Sequence, residues 1–548
     1  IFTTGNKVET FSDMCNERFV AEYIQKFKGT RFNHKIDIER LIKIIKELPN
    51  NKSSGMSGVC YEMIKYSENR NIFETIINQQ ETPYLFNLSM IKPLVKDAKK
   101  TNSDISNLRP AAISDAISNL FESILLDMLN EHHNDHPKQF GFKQNSSCKH
   151  AIWALKQAIE ISKFKGKWIY ICAIDASKAF DKVNRTLLWR ILIEKNFSPH
   201  IVLSIINYYK DSLLLINNLN KYSTIFKSLV GVRQDGKVSP KLFSIFIEKI
   251  IEKISKSDLG IKLNKIKMDI LAYADDLLLI SSNKKELQEM LDIVTETGRE
   301  LEIKFNPEKT LYTVLNKKTI RKRNEKIFDR WQDKLTLDEC EIEEVNCIKY
   351  LGVEIVIEND DKRHIEKSKR AALTSLARLR TLEILTDKTD SYLRGHLNKT
   401  HIMPVLFYGA ETIKLTRPKI ISLKKIEGKI MRSIYGLPKS CRTLNLKLIK
   451  NLNDTSKRLK LIQINFFERL LKNEYTSEVI NDLLQNNVER DYIECINEIL
   501  SEVTYEREIG IIEKCKYFRY VQNLEFETIK QNNQFLNNLK EIFKKQDK

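Results

Sequence analysis

Met268-Asp-Ile-Leu-Ala-Tyr-Ala-Asp-Asp-Leu-Leu-Leu-Ile-Ser-Ser282 decides how the chain is read. Two apolar runs of strand length flank the pair Asp275-Asp276, which is the pattern of a buried hairpin with acids at its turn. Upstream, Trp168-Ile-Tyr-Ile-Cys-Ala-Ile-Asp175 is a near-continuous apolar run that ends in a third acid. A charge at the end of a buried strand is costly unless it is paired or binds a cation. One acid at a strand end and two at a neighbouring hairpin can hold two divalent metals roughly 3.5 to 4 Å apart, able to activate a hydroxyl and stabilise a departing pyrophosphate. Oxygen-only ligands that leave room for substrate phosphates suit Mg²⁺. Each acid alone has a plainer reading: Asp275-Asp276 as a simple turn, Asp175 as a helix cap ahead of Ser177-Lys-Ala-Phe180. Their joint pattern favours the metal.

The rest of the chain is compatible with a partner that carries many phosphates. Its 548 residues, at roughly 100 to 200 per domain, imply three or four packed units. With 91 Lys plus Arg against 72 Asp plus Glu, the net charge is +19 and the pI about 9.2, which favours a polyanion. General disorder is excluded by 25 Phe and 19 Tyr set against 16 Gly and 11 Pro. The nine cysteines form no C-x-x-C pair and are odd in number, so no disulfide framework or zinc knuckle is expected, and the compartment should be reducing. His132, His133, His136, Cys148 and His150 fit no common zinc spacing. No stretch approaches the roughly 20 apolar residues of a membrane span, and Ile1-Phe-Thr-Thr is not a secretion signal. A start at Ile1 leads us to expect missing residues before it.

Residues 1 to about 45 show helical spacing, as at Phe19, Tyr23, Ile24 and Phe27. Mixed strands and helices are expected from 83 to 180. Beyond 356 the pattern is helical and basic: Arg363 to Leu385, Ser391 to Tyr408, Lys419 to Tyr435 and Ser456 to Leu471. No internal repeat is visible. A weak boundary lies near Leu315 to Lys326, where Lys317, Lys318, Arg321, Lys322, Arg323 and Lys326 cluster; the same cluster is the one candidate nuclear signal.

In order over about residues 50 to 356, the chain resembles a reverse transcriptase of the non-LTR (LINE-like) retrotransposon kind. The resemblance rests on Ala-Phe180-Asp, Gly231-Val-Arg-Gln234, Ser239-Pro-Lys-Leu-Phe243, Ala272-Tyr-Ala-Asp-Asp276 and Lys349-Tyr-Leu-Gly-Val353. Weaker motifs in the right order are Lys52-Ser-Ser-Gly55, Asn107-Leu-Arg-Pro110, Gln139-Phe-Gly-Phe142 and Phe305-Asn-Pro-Glu-Lys-Thr310. It implies an α+β right-hand polymerase: a helical lead-in at 1–50, fingers at 51–168, an RRM-like palm of antiparallel sheet and helices at 169–356, a helical thumb at 357–470 and a helical C-terminal extension at 471–548. The reverse transcriptase domain overall would cover about 75–356.

The resemblance also implies roles. Asp175 and Asp275, with Asp276 beside them, would bind two Mg²⁺ ions, for which Mn²⁺ can substitute. Lys96 and Arg109 would grip the triphosphate, as a point charge and a planar fork can. Phe180, five residues after Asp175, would exclude a 2′-hydroxyl and select dNTPs. Gln234 would contact the nascent base pair, Lys309 would protonate the pyrophosphate, and Gly231, Arg233, Tyr350, Leu351 and Gly352 would handle primer and template. The ordinary readings of such residues, taken singly, are surface cations, a core aromatic and a plain turn.

One departure concerns Asp235, where the family has Gly directly after the glutamine. If that position needs a positive φ, Asp tolerates it better than a branched residue and less well than Gly. The expected activity is RNA-directed DNA synthesis on an RNA template from a DNA primer, with no membrane partner. The setting would be intracellular, nuclear or cytoplasmic, as a ribonucleoprotein. An endonuclease would lie on a missing N-terminal segment or another protein, because no Cys/His cluster follows the polymerase. The rivals are a decayed nucleic-acid-binding scaffold of the same fold and, less favoured because of Phe180 and Tyr-Leu-Gly-Val353, an RNA-dependent RNA polymerase or an intron maturase.

Overall fold

The computed structural model describes residues 10–66, 72–96, 107–176, 179–219, 221–263, 265–316, 334–356, 361–443, 454–485, 491–504, 511–512 and 514–515. The basic cluster at 317–326 lies outside them. The chain divides into two compact units. The first holds residues up to Ser147, Ser162–Lys262 and Lys267–Asn346; the second holds Cys148–Ile161, Leu263–Ile266 and the chain from Cys347 on.

The first unit is built on a sheet whose centre is the apolar run Ile169–Ile174. The strand order is Glu343–Glu344, Leu311–Leu315, Ile169–Ile174, Asp276–Ser281, Ile270–Tyr273. The central strand is antiparallel to both neighbours, and Leu277 stands opposite Ile174. The helix Ser239–Lys256 packs into the same core and buries Leu242, Phe243, Phe246, Ile250 and Ile254. Pro240 in its first turn and Lys253 and Lys256 in its last suit the helix ends. The helix Lys284–Glu300 begins where the Asn283 side chain accepts the Glu286 N–H, and it buries Leu287, Met290, Leu291 and Val294 at helical spacing.

A second sheet in this unit pairs Leu88–Val95 antiparallel to Leu108–Ser114, with Leu94 opposite Arg109, and parallel to Leu213–Asn218. The loop after Val230 is anchored by a buried polar network. Arg233 Nη1 donates to Glu122 Oε1 at 2.9 Å and to Ser118 Oγ at 2.8 Å, and the Tyr208 hydroxyl donates to Glu122 Oε1 at 2.8 Å. Arg233 is 5% exposed and Glu122 0%. The primer and template contact expected of Arg233 is therefore corrected: its charge is consumed inside the protein, where a buried carboxylate needs a cation. Gly236 fits because a Cβ there would lie 2.8 Å from Glu122 Oε2.

Among its described residues the second unit is helical apart from the hairpin Cys347–Tyr350 with Val353–Val356. Its helices include Lys362–Thr381, Arg417–Tyr435, Thr455–Lys472, Glu474–Gln485 and Asp491–Thr504. The expected single helix from Ser391 to Tyr408 is broken: Ser391–Leu397 runs into a π turn at Asn398–Ile402, and Met403–Leu406 follows. Pro404 has no N–H for the ladder, which accounts for the break beside it. The hairpin at 347–356 belongs to this unit, whereas the sequence partition kept it with 169–356; Glu354 pairs with Arg363 and Lys367 of the following helix. Among the described residues no helix is long and apolar enough to cross a membrane.

Replacing Arg233 with Met leaves the fully buried Glu122 without its cation. The expected cost is about 3–5 kcal/mol, read as a lowered urea midpoint by circular dichroism; an unchanged midpoint contradicts the network's role.

Candidate active site

The three acids meet at one end of the first sheet. Asp175 directly follows the central strand, and one register step beyond the pair Ile174 and Leu277 it comes level with Asp276, the first residue of its neighbour. Asp276 pairs with Tyr273, which leaves Ala274 and Asp275 as a two-residue turn. Ala274 has φ +55, so its positive φ falls on the first central residue, the signature of a type II′ turn. A non-glycine residue in that region is strained, and such strain gathers at functional positions.

Like charges at a half-buried strand end disfavour ionisation. Burial, then the neighbouring Asp275 and Asp175, push the Asp276 carboxyl up to about 6. Burial and the charge of Asp175 raise Asp275 as well, against the pull of its own backbone N–H. The nearby cation is Lys309, whose Nζ lies 3.6 Å from Asp175 Oδ2. The loop Phe305–Thr310 delivers it: Asn306 N–H donates to the Asp175 carbonyl at 2.9 Å, and Phe305 bridges Ala176. The donor set is all oxygen and carries surplus negative charge, which fits Mg²⁺. Among the described residues no group of three or more His, Cys, Asp or Glu side chains is gathered tightly enough to hold a cation alone.

The next segment shapes one flank of the site. Phe180 opens a short 3₁₀ turn, Phe180–Lys182, and its ring stacks on Phe243 with centroids 4.2 Å apart and planes at 20°. Gln234 Nε2 donates to Asp181 Oδ1 at 2.5 Å. Gly231, at φ +78, donates its N–H to the Val183 carbonyl at 2.9 Å, and a Cβ there would lie 2.6 Å from the Asp181 carbonyl oxygen. Phe180, Gly231 and Gln234 are thus brought together, and Arg233 turns inward behind them.

Asp235 does have the positive φ considered from its sequence, +59. Its Oδ2 accepts the Ala112 N–H at 3.1 Å, which ties this loop to the strand that carries Arg109. Lys96 and Arg109 are exposed on one hairpin, where the Lys96 N–H donates to the Asn107 carbonyl at 2.8 Å; residues 97–106 lie outside the described ones. In the second unit, Leu351 at φ +46 and Gly352 at φ +84 form a two-residue turn of the I′ kind. The Tyr408 hydroxyl donates to the Leu351 carbonyl at 2.8 Å. Tyr408, Phe243 and Asp181 were not singled out from the sequence. Phe243 and Asp181 lie in quoted motifs, but nothing local marks Tyr408.

A family profile described as reverse transcriptase (RNA-dependent DNA polymerase) matches residues 98–355. A probable RNA-directed DNA polymerase from transposon BS of Drosophila melanogaster is 24% identical over 79% of this chain and 48% of its own length. A Pol polyprotein from the type-1 retrotransposable element R2 of Popillia japonica is 25% identical over 52% of this chain and 46% of its own. Residues 98–355 are a reverse transcriptase domain of the non-LTR retrotransposon kind. This reverse transcriptase domain contains every candidate site residue except Lys96. The chain spans about half the length of these two relatives. Among solved structures, telomerase from Candida albicans with a fragment of telomeric RNA aligns over 92% of this chain and 82% of its own at 11% identity, with a TM-score of 0.37.

The raised Asp276 has a measurable consequence in the metal-free protein. A carboxyl whose folded pKa is raised from 3.8 to about 6 opposes folding above that range and ceases to do so below it. Asp276→Asn should therefore raise the melting temperature at pH 8 in EDTA, with a gain that shrinks as pH falls through 6 and disappears near 4. A gain independent of pH contradicts this electrostatic account.

Proposed function

We propose that this chain is an RNA-directed DNA polymerase that extends a DNA 3′-hydroxyl along an RNA template. The observation that carries the reading is the meeting of Asp175, Asp275 and Asp276 at one sheet end inside a reverse transcriptase domain. In this reading the sheet around Ile169–Ile174 and its helices are the palm, the hairpin with Lys96 and Arg109 belongs to the fingers, and the basic helices from Lys362 onward are the thumb. Lys367, Arg370, Arg378, Arg380 and Lys424 there suit sequence-independent contacts to phosphates.

Asp175 and Asp275, with Asp276 beside them, would hold two Mg²⁺ ions, or Mn²⁺, whose chemistry is to activate the 3′-hydroxyl and stabilise the leaving pyrophosphate. Lys309 stands next to Asp175 and is placed to give a proton to that pyrophosphate. Lys96 and Arg109 bind the triphosphate. The Phe180 ring, braced by Phe243, blocks a 2′-hydroxyl, and Gln234, oriented by Asp181, faces the new base pair. Tyr350, Leu351 and Gly352 place the primer end. RNA template, DNA primer and dNTPs are the implied partners.

Primer extension on poly(rA) with oligo(dT) tests this. Extension with dTTP should need Mg²⁺, stop in EDTA and fall to background in Asp275→Asn, with RNA binding retained. Phe180→Ala should keep dTTP incorporation while raising UTP use relative to dTTP by at least about tenfold. Undiminished synthesis by Asp275→Asn sinks the assignment, and salt-sensitive RNA binding without any synthesis by the wild type points to a decayed scaffold.

A further inference from the structure

The strained turn that carries Asp275 is gripped from outside its own sheet. The strand Ile270–Tyr273 is the sheet's edge, and residues 138–140 run alongside it. Ala272 N–H donates to the Lys138 carbonyl at 3.0 Å, and Phe140 N–H donates to the Ala272 carbonyl at 2.8 Å. One residue before the strand, the buried Asp269 pairs with Lys138 at 2.5 Å, and one residue before the turn the Tyr273 ring lies 6.5 Å from that of Phe142. The segment therefore follows the edge strand from its start to the turn.

Gln139 completes the grip. Its side chain is 2% exposed, and its Oε1 accepts two backbone N–H groups at 3.0 Å each, from Gly141 and from Ala274. Only the oxygen of a carboxamide can accept from two donors, so chemistry fixes which way the amide faces. Its Nε2 has no partner among the described residues, so the buried side chain contributes its acceptor at the expense of its donor. Gly141 is required for the close approach, because a Cβ would lie 2.6 Å from the Ala274 nitrogen. The N–H that Gln139 holds belongs to the residue with φ +55, immediately before Asp275.

We propose that Gln139 is a positioning residue: it locks the left-handed Ala274 so that Asp275 and Asp276 are presented together with Asp175. This rests on the polymerase reading above. Buried behind the turn, Gln139 acts through the Ala274 backbone, as groups behind metal ligands do. A glutamine that served packing alone would be dispensable to the carboxylates once an apolar side chain of similar length filled its place.

Gln139→Met preserves length and burial and removes the acceptor. In the full chain, hydrogen exchange of the peptide covering 268–282, followed by mass spectrometry, should quicken, while the other core peptides stay protected. In primer extension the half-saturating Mg²⁺ concentration should rise about tenfold, with the KM for dTTP and salt-dependent poly(rA) binding unchanged. Unchanged exchange in a folded variant overturns the proposal, and so does faster exchange with unchanged Mg²⁺ demand, which would make the contact structural only. If Gln139→Met does not fold, Gly141→Ala, which presses a methyl on the Ala274 nitrogen with Gln139 intact, is judged by the same two readouts. If the wild type makes no DNA, the polymerase reading fails and the exchange measurement alone decides the grip.

Discussion

Three carboxylates brought to the end of an apolar sheet repel one another, and the surrounding structure is organised around holding them there. An antiparallel ladder sets Asp175 level with Asp276 and makes their separation a property of backbone register. A reversal of two residues then forces Asp275 to follow a residue in the left-handed region. Lys309 arrives on a loop whose own backbone binds the Asp175 carbonyl, so that one cation tempers a site left rich in negative charge. Such excess charge disfavours the empty site and favours whatever cation fills it.

The flank formed by Phe180, Asp181, Gly231 and Gln234 depends on a different device. Arg233 and Glu122 are buried together with Tyr208 and Ser118, and this network fixes the loop from behind. Two loops distant in sequence can then meet closely enough that Gly231 has no room for a side chain. A charged pair in the interior is seldom a large net source of stability. In the loop conformation it anchors, Gln234 points at Asp181 while Arg233 points away.

Much of this was legible in the sequence where one local signal sufficed. The alternation of apolar runs with acids marked the strand before Asp175 and the hairpin at Asp275, and the apolar spacing marked the helices Lys362–Thr381, Arg417–Tyr435 and Thr455–Lys472 to within a few residues. Residues whose meaning depends on a distant partner were not legible. Arg233 was read as a primer and template contact because Glu122, the partner that turns it inward, lies 111 residues away. Gln139 was visible only as part of a weak motif, since its partner is a backbone N–H at position 274. The parallel pairing of Leu88–Val95 with Leu213–Asn218 has no local trace, and the π turn at Asn398–Ile402 was hidden inside an unbroken helical pattern.

The bond from Asp235 to the Ala112 N–H joins a loop beside Gln234 to the edge strand that carries Arg109. Its donor is main chain, so any residue except proline at 112 preserves it. Substitution at 112 therefore places no demand on 235, and the two positions have no reason to change together among related sequences. A bond of this kind ties two elements together with no side-chain requirement at one of its ends. A glycine at 235 would relax the backbone and cut this bond in the same step, so a single codon change would alter both strain and the linkage between the two elements.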